Sequence, residues 1–403
     1  MGALSTTERE AVERARAEPM LAQVEAWAAV NSGTGNLDGL KAMAGLLADA
    51  FSALPGELQM EEAAKVEAVE SDGRTRQVVY GHNLHLAVRP DAPVQILLTG
   101  HMDTVFAADH PFQALSWIEP GKVLGGPGVA DMKGGIAVML AALKAIEASP
   151  ERGAIGYEVV LNSDEEVGSP GSAALIAQAA QGKAAALTYE PAALPDGTLA
   201  GARPGSGNFS FVVKGRSAHA GRNPEDGRNA LVAAAELALR LAHSKTPGLN
   251  INPARIDGGS PNNVVPDLAI LRANLRPLTP GDQEIAERLI ANAVEQTAKD
   301  HDVYIEVHGG FGRPPKPMTP EADALFQLVR KAGADLGQAI AWQPSGGVCD
   351  GNNIAACGVP VVDTMGVRGG KIHSMEEYLI VDSLAERAAL SALTILRLAG
   401  GPA

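Results

Sequence analysis

The chain has 403 residues, 46% of them hydrophobic but only 4% aromatic, and a formal net charge of −14. That length allows two or three domains and a sizeable, mostly aliphatic core. The negative charge argues against nucleic acid and anionic membrane surfaces as partners, since both need a basic face. The two cysteines, Cys349 and Cys357, define no disulfide framework and fit a reducing compartment.

In chain order, a polar, charged N-terminus without a secretory apolar core leads into a helix over 7–30, and a second helix covers 37–52. Strands at 76–80 and 83–88 alternate like an antiparallel edge. The pattern then shifts to buried strands separated by helices: strand 95–99, helix 134–148, strand 157–162, helix 170–181 and strand 185–189. This rhythm predicts an α/β layer with a mainly parallel sheet. From 206 the order becomes strand 209–215, helix 227–243, strands 249–257 and 265–276, helix 283–300 and strand 303–309. That β-α-β-β-α-β succession is a ferredoxin-like unit bounded by Pro204-Gly205 and Arg313-Pro-Pro-Lys-Pro317. Helices at 321–336, 350–357 and 380–398 and a strand at 359–366 complete the chain. The expected organisation is a discontinuous catalytic domain (1–205 and 315–403) with an inserted domain at 206–314. No segment is long and apolar enough to span a bilayer, so a cytoplasmic location is expected.

Ligands of open α/β sheets bind beyond the carboxyl ends of the strands, and those positions collect chemistry here. His101 and Asp103 follow one strand, Asp164, Glu165 and Glu166 the next, and Glu190 the third. His373 follows the last strand, and Asp131 precedes the helix at 134. Singly, each has an ordinary reading, Asp131 for example as a carboxylate at a helix N-terminus. Together, two imidazoles and an excess of carboxylates suit a pair of Zn²⁺-type ions with one bridging acid. Adjacent acids such as Glu165 and Glu166 point in different directions, so one can ligate while the other serves as general base. Asp103, two residues beyond His101, is placed to take the other ring N–H of that histidine.

The segments TGHMDTV, GVADMKGG, SDEEVGS, TYEP, GRSAHAG and KIHS, in this order between about 95 and 375, resemble the M20 metallopeptidases. The resemblance implies two divalent ions, Zn²⁺ first and Co²⁺ or Mn²⁺ as alternatives. His101 and Glu190 would hold one, Glu166 and His373 the other, and Asp131 would bridge. It implies a cis peptide after Asp131, Glu165 as general base, and Asp103 and His219 as further catalytic residues. His219 would act across a homodimer formed through the inserted domain, where that unit also serves as a lid. Arg276 and Asn263 would bind the substrate carboxylate, and Gly347, in SGGVCDGNN, would line the pocket. The implied reaction is glutamate carboxypeptidase-like hydrolysis of an amide beside an amino-acid carboxylate, in a small peptide or N-acyl-amino acid. The alternatives are an N-acyl-amino-acid deacylase and, more remotely, a non-catalytic metal-binding scaffold.

Overall fold

The computed structural model, which describes residues 4–244 and 246–400, divides the predicted 7–30 helix into α1 (Thr6–Ala17) and α2 (Met20–Ala28). Pro19 causes the break: it disfavours helical backbone at Glu18, which is extended at φ −64 and ψ 141. Helix α3 (Leu37–Phe51) is capped by the Asn36 side chain. Then come β1 (Glu57–Glu61), β2 (Val66–Val69), β3 (Thr75–Val78), β4 (Asn83–Val88), β5 (Val94–His101), β6 (Ser116–Glu119) and β7 (Val123–Gly125). They are followed by α4 (Gly134–Glu147), β8 (Ile155–Asn162), α5 (Ala173–Ala180), β9 (Ala185–Thr188) and β10 (Leu199–Ala200). The next run is β11 (Ser206–Lys214), α6 (Ala230–His243), β12 (Leu249–Gly258), β13 (Leu268–Pro277), α7 (Pro280–His301) and β14 (Tyr304–Arg313). The chain ends with α8 (Pro320–Asp335), β15 (Trp342–Gln343), α9 (Asp350–Ala356), β16 (Val361–Val362), β17 (Gly369–Gly370), β18 (Tyr378–Ile380) and α10 (Asp382–Ala399).

The main sheet runs β1-β4-β8-β5-β9-β16. Strands β8, β5, β9 and β16 are parallel, and β4 is antiparallel to both its neighbours, so the sheet is mixed, with β4 its one reversed strand. The two segments that alternate like an antiparallel edge, 76–80 and 83–88, belong to different sheets. β3 closes a hairpin with β2, and β4 sits between β1 and β8. Helix α4 is buried along nearly its whole length between the sheet and α1, α2 and α10. On the sheet's opposite face, Leu97 and Val160 meet Ile176 of α5 and Ile354 of α9. Residues alternating along β5 therefore enter two cores, which is why QILLT reads as an unbroken apolar run.

A second, antiparallel sheet has the order β12-β13-β11-β14. Helices α6 and α7 cover one face around a separate core that includes Phe211, Leu237, Leu271 and Leu275. The β2–β3 hairpin lies on the other face, with Val69 packed on Val212 and Ile270. Among the described residues, no helix is long and apolar enough to cross a membrane.

Candidate active site

Strands β5, β8 and β9 end at the same edge of the sheet, with His101 opposite Asn162 and Thr99 opposite Thr188. His101 is the last residue of β5. Glu165 and Glu166 lie in the turn after β8, and Glu190 stands two residues beyond β9. Asp131 enters from the turn before α4, across a cis Asp131–Met132 peptide bond. His373 comes from the loop between β17 and β18 and has a left-handed φ of 62°. α4 can start this close to β9 because Gly135 has no side chain: a Cβ there would lie 1.9 Å from the Tyr189 carbonyl oxygen.

Asp131 is the centre of the cluster. Its Oδ1 lies 3.1 Å from His101 Nε2, and its Oδ2 lies 3.2 Å from His373 Nε2. Glu190 Oε2 is 3.8 Å from the same His101 nitrogen, and Glu166 Oε2 is 3.0 Å from His373 Nε2. Two groups of side chains thus flank one carboxylate, each facing a different oxygen of it. The Asp131–Glu166 pair holds His373 up to about 11. Burial opposes charge on His101, but Asp103, Asp131 and Glu190 outweigh it and raise that imidazole well above its usual range. Burial also opposes charge on Asp131, yet the two imidazoles pull it well below the usual carboxylate range. Burial pushes Glu190 up to about 7. The cluster therefore stabilises positive charge on both sides of Asp131.

Buried groups behind the cluster set its geometry. His101 Nδ1 donates to the Asp103 carbonyl at 3.0 Å, which leaves Nε2 turned to the cluster. The Asp103 carboxylate accepts from Thr34 Oγ1 at 2.7 Å and from the backbone N–H groups of Glu165 and Glu166, both at 3.2 Å. One acid thus ties the histidine to the two glutamates. Glu377, four residues beyond His373, accepts from the N–H groups of Gly128, Ala130 and Asp131 at 2.9–3.0 Å. It fixes the turn that presents Asp131, and burial pushes it up to about 7. Sequence reasoning missed Glu377 and also Arg313, whose Nη2 lies 2.7 Å from Glu165 Oε1. Glu377 sits in a loop and Arg313 ends β14 beside a proline-rich stretch that reads as a linker, and their partners are distant in sequence.

A cavity of about 510 Å³ opens on the cluster, lined by Asp131, Glu165, Glu190 and His373 and by Arg203, Gly347 and Lys371 among others. Cys349 also lines it; burial pushes its thiol well above the usual range, which argues against a nucleophile. Gly347 is among the cavity's lining residues. His219, Asn263 and Arg276 do not line this cavity. His219 is exposed, with Nδ1 accepting from the N–H groups of Gly221 and Arg222. The Asn263 carbonyl accepts from Ala220 beside it, at 2.9 Å. Arg276 Nη1 donates to the Gly346 carbonyl at 3.1 Å, on the loop that reaches the cavity.

The side chains fit divalent cations. His101, Asp131 and Glu166 each offer a ligand atom within 4.8 Å of the others, and so do His101, Glu165 and Glu190. Glu165 belongs to the second triplet, but its Oε1 is committed to Arg313, whereas Glu190 faces His101 without such a partner. Imidazole and carboxylate together suit Zn²⁺-like ions, and a shared acid suits a pair of them.

The sequence profile of peptidase family M20/M25/M40 matches residues 97–397. Carboxypeptidase G2 of Pseudomonas sp. (strain RS-16) is 29% identical over 381 residues, covering 92% of this chain and 87% of that protein. Succinyl-diaminopimelate desuccinylase of Xanthomonas campestris pv. campestris (strain 8004) is 30% identical over 332 residues, covering 76% and 84%. The fold is shared with the Bacillus subtilis YXEP protein, described as a dinuclear metal binding peptidase. That match has a TM-score of 0.64 at 15% identity and covers 94% of this chain and 97% of that one.

Proposed function

The chain belongs to peptidase family M20/M25/M40 and is a metallo-hydrolase of C–N bonds, and on that premise we propose a glutamate carboxypeptidase-like reaction. The bond cleaved is an amide beside an amino-acid carboxylate. The observation that carries this reading is the pair of ligand groups sharing Asp131, set at a cavity of about 510 Å³.

In this reading His101, Glu190 and Asp131 hold one divalent cation, and His373, Glu166 and Asp131 the other, with Zn²⁺ first and Co²⁺ or Mn²⁺ as alternatives. When bound, the pair supplies Lewis acidity, polarising the scissile carbonyl and lowering the pKa of the attacking water. Glu165 takes the proton from that water and passes it to the leaving nitrogen. Asp103 orients His101 and the backbone of Glu165 and Glu166 together. Arg276 and Asn263 anchor the carboxylate once the inserted unit, 206–314, closes on the catalytic domain of 1–205 and 315–403. The free state of Cys349 and Cys357 suits a reducing, cytoplasmic setting.

The expected result with a panel of peptidyl- and acyl-amino acids is release of a free C-terminal amino acid, glutamate-like, from peptides. Hydrolysis restricted to acetyl- or succinyl-amino acids would replace this reading with the deacylase one, the activity named for the Xanthomonas relative.

His219 stabilises the oxyanion in this scheme from a second copy of the chain, since it is not among the residues lining the cavity of its own chain. The exposed Leu231, Val232 and Leu239 of α6 are available to such an interface. Glu165→Gln and His219→Ala, each inactive alone, should complement when exchanged into mixed dimers, because one site of each then keeps both residues. Random exchange restores roughly a quarter of wild-type activity. Absence of recovery in verified mixed dimers would refute action in trans.

A further inference from the structure

Arg313 lies in a segment, Gly312-Arg313-Pro314-Pro315, that reads as a linker, yet it is 3% exposed. Nη2 donates to Glu165 Oε1 at 2.7 Å, to the Glu165 carbonyl at 2.9 Å and to Ser169 Oγ at 3.1 Å. Nη1 donates to Asp350 Oδ1 at 3.0 Å. Asp350 is itself anchored, accepting from Asn162 Nδ2 at 2.8 Å and from the Ser169 hydroxyl. The guanidinium therefore spans the turn that carries Glu165 and is braced from behind.

Arg313 also belongs to the paired crossings between the two sheets. It is the β14 partner of Ser206, where β11 begins. Arg203 and Lys316 exchange backbone hydrogen bonds at 2.9 and 3.0 Å, and Asn352 Nδ2 donates to the carbonyls of Pro204 and Pro314 at 2.9 and 2.7 Å. The two crossings form one ribbon, and Arg313 is the side chain of that ribbon that reaches Glu165.

We infer that Arg313 is a positioning residue: by engaging Oε1 it fixes the Glu165 carboxylate with its other oxygen free for the substrate water, and it makes that aim depend on the ribbon joining the two sheets. The inference rests on Glu165 being the base. A carboxylate turns freely about its last torsion unless one oxygen is held, and a planar fork holds it in one orientation.

The test uses the metal-loaded enzyme and the best peptide substrate of the panel. Arg313→Met is expected to lower kcat about 10- to 100-fold, the usual effect of removing an orienting partner. KM should stay within about twofold. Arg313→Lys should recover part of the loss, since lysine keeps the charge but not the fork. In a Glu165→Gln background, Arg313→Met should cost nothing further. Thermal unfolding and metal content of the same samples report on the fold. Should Arg313→Met not fold, Arg313→Lys and Asp350→Asn, which frees the bracing nitrogen, carry the comparison and should each lower kcat. A loss confined to KM, or a full additional loss in the double variant, makes Arg313 a substrate anchor and overturns the inference. Wild-type kcat in Arg313→Met and Arg313→Lys with Glu165→Gln inactive overturns it while leaving the base in place. An active Glu165→Gln enzyme overturns the base itself.

Discussion

Glu165→Gln is expected to keep its fold and bound metal and to lose about 10²- to 10⁴-fold in kcat, the contribution of a positioned general base. Glutamine has nearly the same shape, and its carbonyl oxygen can still accept from Arg313 Nη2, as Oε1 does at 2.7 Å. The backbone N–H of residue 165 still reaches Asp103 Oδ1. None of the contacts among His101, Asp131, Glu190, Glu166 and His373 passes through the Glu165 side chain. What disappears is the ability to accept a proton and return it to the leaving nitrogen. Steady-state kinetics and metal analysis on the same preparation separate the outcomes. Unchanged kcat would sink the mechanism. Loss of one metal together with activity would make Glu165 a ligand, which the compact His101–Glu165–Glu190 triplet also permits.

Much of this cluster is legible in the sequence because parallel strands deliver their C-terminal residues to one edge. His101 ends β5, and Glu165, Glu166 and Glu190 follow β8 and β9 within a few residues, so a survey of strand ends finds them with no knowledge of pairing. Strand partners are another matter. The segment at 76–80 alternates correctly, but the choice between β2 and β4 as its neighbour depends on contacts that no local pattern encodes. Pro19 did carry a local signal, and helical periodicity on both sides concealed it. Buried charges in connecting segments were the hardest to see. Arg313, Glu377 and Arg203 find their partners 148, 247 and 160 residues away, at Glu165, Ala130 and Asp363. A linker arginine looks solvated until the fold buries it. For His219, Asn263 and Arg276, the sequence offers a resemblance, and a single copy of the chain keeps them off the cavity wall.

Removing divalent cations with a chelator is expected to abolish turnover, and adding back Zn²⁺, Co²⁺ or Mn²⁺ to restore it. The reason is the charge of the cluster. Asp103, Asp131, Glu165 and Glu190 are at most 9% exposed, with two imidazoles and Arg313 beside them. Without cations, the neighbouring carboxylates favour protons on both histidines, whose pKa values are raised. Cations replace those protons, so binding releases them and tightens as pH rises. Ligation of the folded state alone also stabilises it, by about 2.7 kcal/mol at a hundredfold excess over Kd. Thermal melting should therefore drop on chelation together with activity. Single substitutions then distinguish one ion from two. Asp131→Ala removes the group common to both ligand sets and should empty the site. His373→Ala touches only the Glu166 side and should leave about one ion per chain. Full activity in verifiably metal-free protein would remove the Lewis-acid basis of the proposal. A wild-type stoichiometry of one ion would instead reduce Asp131 from a bridge to an ordinary ligand. In that case its second oxygen, 3.2 Å from His373 Nε2, would be left with the histidine alone.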